Sequence, residues 1–163
     1  MARKQAAQGT PATAVLAAAG VPFTLHPYAH DPSAPSYGLE AAEVLGIDPG
    51  RVFKTLKVDI EGKLAVGIVP VSGTLDLKAI AAALGSKKAT MADPKMAERR
   101  TGYVLGGISP LGQRQASPTV LDESALAFGT ILVSGGHRGL DIELDPADLI
   151  RLTGARTAPI GSP

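Results

Sequence analysis

The sequence predicts an α+β fold, a mixed and mainly antiparallel twisted sheet with helices packed around it. Two observations carry this. Residues 52–70 read as a β-hairpin, two runs rich in aliphatic and β-branched residues reversed through "DIEGKL". Capped helical segments and short strand-like runs then interleave along the chain, without the regular alternation of a doubly wound parallel sheet and without a dividing linker.

Thr10-Pro11 marks a helix start, with the cap before a first-turn proline, and Gly20 marks its end. "PFTLHPY" reads as a strand that Pro27 confines to an edge or a bend. "SYGLEAAEVLG" is a short helix between a Ser36 cap and a Gly46 stop, and "DPG" turns the chain into the hairpin. "LDLKAIAAALG" is amphipathic, with Leu77, Ile80, Ala81 and Leu84 on one face. Asp93 caps "DPKMAERR" as a further helix. "TVLD", "TILVSGG" and "LDIEL" read as strands, and "DPADLIRLTG" as a last capped helix.

Composition narrows the chemistry. A chain of 163 residues, 45% hydrophobic and 19% charged, is long enough for one well-formed core. It holds no cysteine, which removes disulfides, a protein thiol nucleophile and thiolate metal sites. Three histidines, His26, His30 and His137, argue against a histidine zinc site, so no metal and no cofactor are expected. A net charge of +1 supplies no global attraction for nucleic acid. "MARKQ" and "ATAVLAAAG" imitate a leader only loosely, the apolar part being short and broken by Gly20 and Pro22. No stretch has the length of a membrane span, and a cytoplasmic protein is expected.

The first hairpin strand, "RVFKTLKVD", poses a question. Alternation puts Lys54 on one face with Val52, Leu56 and Val58, whereas Lys57 shares the other face with Phe53, Thr55 and Asp59 and reads as solvated. Lys54 is either a snorkelling or neutralised structural lysine, or a functional cation. "TGYVLGGISPLG", with four glycines, is either a tight bend or a cradle for an anion; it has neither the Walker lysine nor a dinucleotide fingerprint. In "VSGGHRGLDIEL", Asp141 points away from the face of Ile142 and is a candidate to meet a lysine in a pocket, while His137 and Arg138 read as an exposed turn. "LHPYAHDPSAPSYG" suits a wall, a lid or a plain surface loop. An inward lysine beside two glycine-rich segments fits a pocket for an oxygen-rich anionic ligand.

"VFKTL", "PVSGTLDLKAIAAALGSKKATMADP", "TGYVLGGISPLG" and "VSGGHRGLDIEL" closely resemble the bacterial YbaK (EbsC) family, free-standing relatives of the editing domain inserted in bacterial prolyl-tRNA synthetases. The resemblance runs colinearly from about residue 10 to about residue 155. It implies the YbaK-like fold as a single domain over residues 10–158, with residues 1–9 a disordered extension. "GGISPLG" preceded by "TGY" is similar to the branch that deacylates Cys-tRNA(Pro), and Cys-tRNA(Cys) is a further substrate to test. The resemblance also implies site residues: Lys54 as the central catalytic cation, with Tyr28, His30, Thr55, Gly106, Gly107, Ile108, Ser109, Pro110, Ser134, Gly135 and Asp141 about the substrate. Thr55 would need a twist or bulge to reach the side Lys54 occupies. In the family the substrate cysteine's own thiol attacks its ester carbonyl. That agrees with a chain in which no histidine is convincingly placed beside a serine.

Residues 86–115 hold Lys87, Lys88, Lys95, Arg99, Arg100 and Arg114 against Asp93 and Glu98 only. This patch is either a solvated helix face or a track for acceptor-stem phosphates. With so little net charge, a partner is expected to assist, and the resemblance implies prolyl-tRNA synthetase in a transient complex. The competing reading is a non-catalytic module that binds an aminoacyl or nucleotide ligand in the same pocket.

Overall fold

Helix boundaries fall where the capping residues put them. In a computed structural model describing residues 9–34 and 36–163, helix α1 (Pro11–Ala19) opens on a reciprocal cap. The Thr10 hydroxyl accepts from the Thr13 N–H, and the Thr10 N–H donates back to the Thr13 hydroxyl. Helix α2 (Tyr37–Leu45) runs from Ser36 to a left-handed Gly46. Asp76, Asp93 and Asp145 cap α3 (Leu77–Ala83), α4 (Pro94–Thr101) and α5 (Pro146–Thr153). The expected extension, residues 1–9, lies outside the described residues but for Gly9.

The hairpin is regular. Strand β2 (Phe53–Ile60) and strand β3 (Lys63–Pro70) pair along their whole length. They are joined through Glu61 (φ 51°) and Gly62 (φ 94°), the left-handed pair that a two-residue hairpin turn requires. With β5 (Thr90–Met91), β6 (Thr119–Asp122) and β9 (Arg156–Ala158), they form a five-stranded sheet in the order β5-β2-β3-β6-β9. It is antiparallel on the β5–β2–β3 side and parallel across β3–β6–β9. A separate antiparallel sheet has the order β1-β8-β7, from β1 (Thr24–Pro27), β8 (Leu140–Leu144) and β7 (Ile131–His137). Pro27 stands on its edge strand, where no ladder N–H is lost. A parallel bridge from Val52 to Leu132 ties the two sheets together. At the far end, β10 (Gly161–Ser162) pairs with β4 (Thr74–Leu75), and the buried Asp122 carboxylate accepts the Ile160 and Gly161 N–H groups at 2.9 and 2.8 Å.

Strand β2 is covered on every side but one. Phe53 enters the largest core with Leu16, Ile68, Leu111, Ile131 and Leu149. Val58 joins Val69, Ile80 and Ile160 beneath α3, and Val52 joins Ala41, Val71 and Leu132 beneath α2. This overturns the expectation for Lys57, which is 3% exposed. Residues 109–117 fold over the face that alternation left to solvent, and the Lys57 ammonium donates to Gln113 Oε1 at 3.1 Å and Ser117 Oγ at 2.7 Å. Among the described residues no helix is long and apolar enough to cross a membrane.

Candidate active site

The open side of β2 makes the site. The Val52 carbonyl accepts from Val71 on the β3 side, so the backbone groups of Lys54, Leu56 and Val58 pair with β3 by alternation. Those of Phe53, Thr55 and Lys57 point the opposite way. Lys57 finds β5 there, its carbonyl accepting from the Ala92 N–H at 3.1 Å. One step along, the continuation of β5 would reach Thr55, but Pro94 has turned the chain into α4. The Thr55 N–H and carbonyl therefore point away from β3 to where β5 offers them no ladder partner. Among the described residues the buried Thr55 hydroxyl has no hydrogen-bond partner either. One residue, 8% exposed, thus turns three polar groups toward the gap.

The gap opens into a cleft of about 480 Å³, the size of a small-ligand site. Because it follows the edge of β2, not one face, Lys54 and Thr55 both line it and the strand needs no bulge. Met91, Ala92, Pro94 and Ala97 form one wall, none of them singled out from the sequence, since a two-residue strand leaves no readable pattern. Tyr28, Ser36 and Tyr37 form a second wall from the proline-rich segment, which resolves the choice between wall and surface loop. The third comes from the β7–β8 hairpin. There "SGG" continues the strand through a bulge between Ser134 and His137, and Ser134 and Asp141 are cross-strand partners that both reach the cleft.

The glycine segment contributes Gly106 and Ile108 to the lining. Gly107, Ser109 and Pro110 stand behind it. The Gly107 N–H is spent on the Val104 carbonyl at 3.0 Å, so this group is no free donor for a ligand. A Cβ on Gly107 would meet the His137 Cα at 2.7 Å: glycine is required there by close packing of backbone on backbone. Gly135 is likewise packed, against Leu140, and its carbonyl accepts from the Thr10 hydroxyl at 2.6 Å. His30 is not in the lining; its Nδ1 hydrogen-bonds Glu40 at 2.8 Å, and its ring meets Tyr37 edge-on. Arg138, expected in an exposed turn, lies 4.2 Å from the Tyr37 ring centroid and donates Nε and Nη2 to the Leu105 carbonyl. It clamps the proline-rich wall onto the glycine segment at the mouth of the cleft. Lys87, Lys88, Lys95, Arg99, Arg100 and Arg114 are all exposed.

Burial sets the charge states. It pulls the Lys54 ammonium below the ordinary lysine range, and no ion pair involving Lys54 exists among the described residues. Burial pushes the Asp141 carboxyl up to about 7 and the Lys57 ammonium down to about 8, the latter helped by the nearby Arg100 charge. Asp141 shares the cleft with Lys54 without pairing to it, so the expected counter-charge is a half-neutral acid at physiological pH. Tyr28 is raised by burial first and by Asp141 second. Among the described residues no group of three His, Asp or Glu side chains is placed to hold a metal ion.

An open strand edge and an unpaired lysine in one cleft make a candidate site for a small, oxygen-rich ligand. The aminoacyl-tRNA editing domain model matches residues 31–152, and the chain belongs to that family. A protein of Enterococcus faecalis strain V583, named "Putative Cys-tRNA(Pro)/Cys-tRNA(Cys) deacylase EbsC", is 40% identical over 98% of this chain and 98% of its own. Among solved structures, one described as "a putative trans-editing enzyme for prolyl tRNA synthetase" is 24% identical. It covers 94% of this chain and 96% of its own, with a TM-score of 0.80. A hypothetical protein, also 24% identical, covers 94% and 100% with a TM-score of 0.82. Both share the fold.

The two buried ionisable groups give opposite pH signatures. Between 3.8 and about 7 the native state keeps a proton on Asp141 that the unfolded chain has lost, so this residue makes stability fall as pH rises through that window. The distance between those two values corresponds to about 4 kcal/mol. Asp141→Asn is expected to match the wild type near pH 4 and to exceed it by about 2–4 kcal/mol at pH 8 in urea melts. Lys57 acts the other way, its penalty being relieved as pH rises from about 8 to 10.5. A stability difference between Asp141→Asn and wild type that does not grow with pH would place the Asp141 carboxylate in a solvated setting.

Proposed function

We propose that this protein is a trans-editing deacylase that clears Cys-tRNA(Pro), with Cys-tRNA(Cys) as a second substrate, working as one editing unit over residues 10–158 in the cytoplasm and in transient contact with prolyl-tRNA synthetase. The observation that carries the reading is Thr55: a buried hydroxyl without a partner and two backbone groups without a ladder partner on an open strand edge, one residue from the unpaired Lys54 ammonium. These are the contacts an aminoacyl ester needs. Its α-amino and carbonyl groups extend the strand edge, and the cation stands where charge develops on the carbonyl oxygen.

The chemistry follows from what surrounds that edge. Of the two cleft serines, Ser36 accepts from the Leu39 N–H as a helix cap and Ser134, opposite Asp141, accepts from the Gly136 N–H; neither is bonded to a histidine among the described residues. The nucleophile comes with the substrate. The cysteine sulfur attacks its own ester carbonyl, the carbon–oxygen bond to the ribose breaks, and the thiol proton leaves with the ribose hydroxyl. The cyclic thioester then takes up water to give free cysteine. The cleft holds the thiol against the carbonyl and stabilises the oxyanion, effects large enough to do without covalent help. Specificity lies in reactivity, since an alanine or proline ester that enters the cleft has no thiol to attack with.

Two outcomes test the reading. Lys54→Ala strands no carboxylate, so the variant is expected to keep its melting temperature or gain slightly, while single-turnover deacylation of Cys-tRNA(Pro) falls by about 100-fold or more. Unfolding without loss of specific activity would make Lys54 structural. Under saturating protein, Ser-tRNA(Pro) and S-methylated Cys-tRNA(Pro) are expected to persist while Cys-tRNA(Pro) is consumed, because an alcohol is a far weaker nucleophile at neutral pH and a thioether has no proton to lose. Comparable rates for all three would assign the attack to a protein-activated water. Tight binding of all three with no ester loss would return the chain to the class of non-catalytic binding modules.

A further inference from the structure

Lys57 is a buried cation that the proposed chemistry does not use. Its ammonium has three donors, of which two go to the neutral acceptors Gln113 and Ser117, and among the described residues it forms no ion pair. Two residues along the same loop, Gln115 Oε1 accepts from Arg100 Nη1 at 3.0 Å, and the Gln115 N–H donates to the Arg100 carbonyl. Gln113 and Gln115 thus bind the two cations from positions two apart on one loop, near enough for the Arg100 charge to be felt at Lys57. Among the described residues neither cation forms an ion pair. The helix macrodipole accounts for Arg99 and Arg100 in the last turn of α4, and solvation accounts for the exposed Lys95 and Arg114. Neither accounts for Lys57.

The position of the pair gives it a meaning. Lys57 lines the same cleft as Lys54 and lies three residues further along β2, about 10 Å away at the rise of a strand, within reach of a nucleotide attached at Lys54. Beyond it, α4 carries Arg100, Arg99 and Lys95 outward from the cleft wall formed by Pro94 and Ala97. We infer that Lys57 and Arg100 form a phosphodiester subsite that leads the substrate's 3′ strand away from Lys54, along β2 and over α4. Arg100, exposed and with donors to spare, grips the phosphate oxygens, and Lys57 adds an unscreened charge from behind. The inference rests on the tRNA reading above and deepens it, since it fixes the direction in which the nucleic acid leaves the cleft.

The test is binding of an uncharged RNA minihelix ending in CCA, followed by fluorescence anisotropy over a salt series. Arg100→Gln and Lys57→Met are each expected to weaken binding several-fold and to flatten the log–log salt slope by roughly 0.7–0.9, the loss of one phosphate contact. The double variant should fall little further, because both cations serve one phosphate. A methylphosphonate at one of the last two linkages should reproduce the loss and make Arg100→Gln silent; this arm stands even if Lys57→Met fails to fold. Wild-type affinity and slope in Arg100→Gln, or losses that add in full, would overturn the subsite. Deacylation of the cysteine-charged minihelix by the wild type separates the two ideas: activity with silent variants removes the subsite alone, and binding without activity removes the editing reading alone.

Discussion

The unpaired edge of β2 at Thr55 is the constraint on which the site depends. A strand in mid-sheet satisfies its backbone on both sides, and an edge strand faces water. Thr55 does neither. Its neighbours toward β1 are held by the Val52–Leu132 bridge, and those toward the hairpin turn by β5, so the strand cannot shift to close the gap. Phe53 and Val58 anchor the strand in two separate cores. The result is a short run of strand polarity turned toward the cleft, where a ligand can pair it.

Everything around the gap keeps it open and shaped. Asp93 and Pro94 start α4 one residue before β5 would have reached Thr55. Lys57 reaches through to Gln113, whose amide donates to the Ser109 carbonyl, so the segment after the glycines is tied to the strand that carries Lys54. On the other side, Arg138 clamps Tyr37 above Gly106, where a side chain would strike the ring. The glycines act mainly as spacers that let neighbouring segments approach, as Gly107 does against the His137 backbone and Gly112 against that of Pro11. This division of labour leaves the cleft serines without a bonded histidine, in keeping with the proposal that the substrate brings the reacting group.

Much of this is legible in the sequence, for local reasons. Capping threonine, serine and aspartate residues and left-handed glycines are decided within a few residues, so α1, α2, α4 and α5 stand where their caps predict. The Glu61-Gly62 reversal is equally local. The inward placement of Lys54 follows from alternation on its own strand. What alternation cannot report is what covers the opposite face: Lys57 looks solvated in the sequence because the loop over it comes some fifty residues later. The glycine segments look like anion cradles because their packing partners, His137 and Leu140, are not evident from the glycines themselves. Tyr37 and Arg138 carry a weak signal, an aromatic at a helix start and an arginine between glycines, and only the tertiary fold joins them.

The most direct measurement is amide hydrogen exchange at Thr55, by NMR, with and without a cysteinyl 3′-amino-adenosine in which an amide replaces the labile ester. In the free protein the Thr55 N–H should exchange much faster than those of Lys54 and Leu56, which are paired to β3. On binding it should become protected, with those neighbours little changed. A Thr55 amide already as slow as its neighbours in the free protein, or one left fast when the analogue saturates the cleft, would contradict the account.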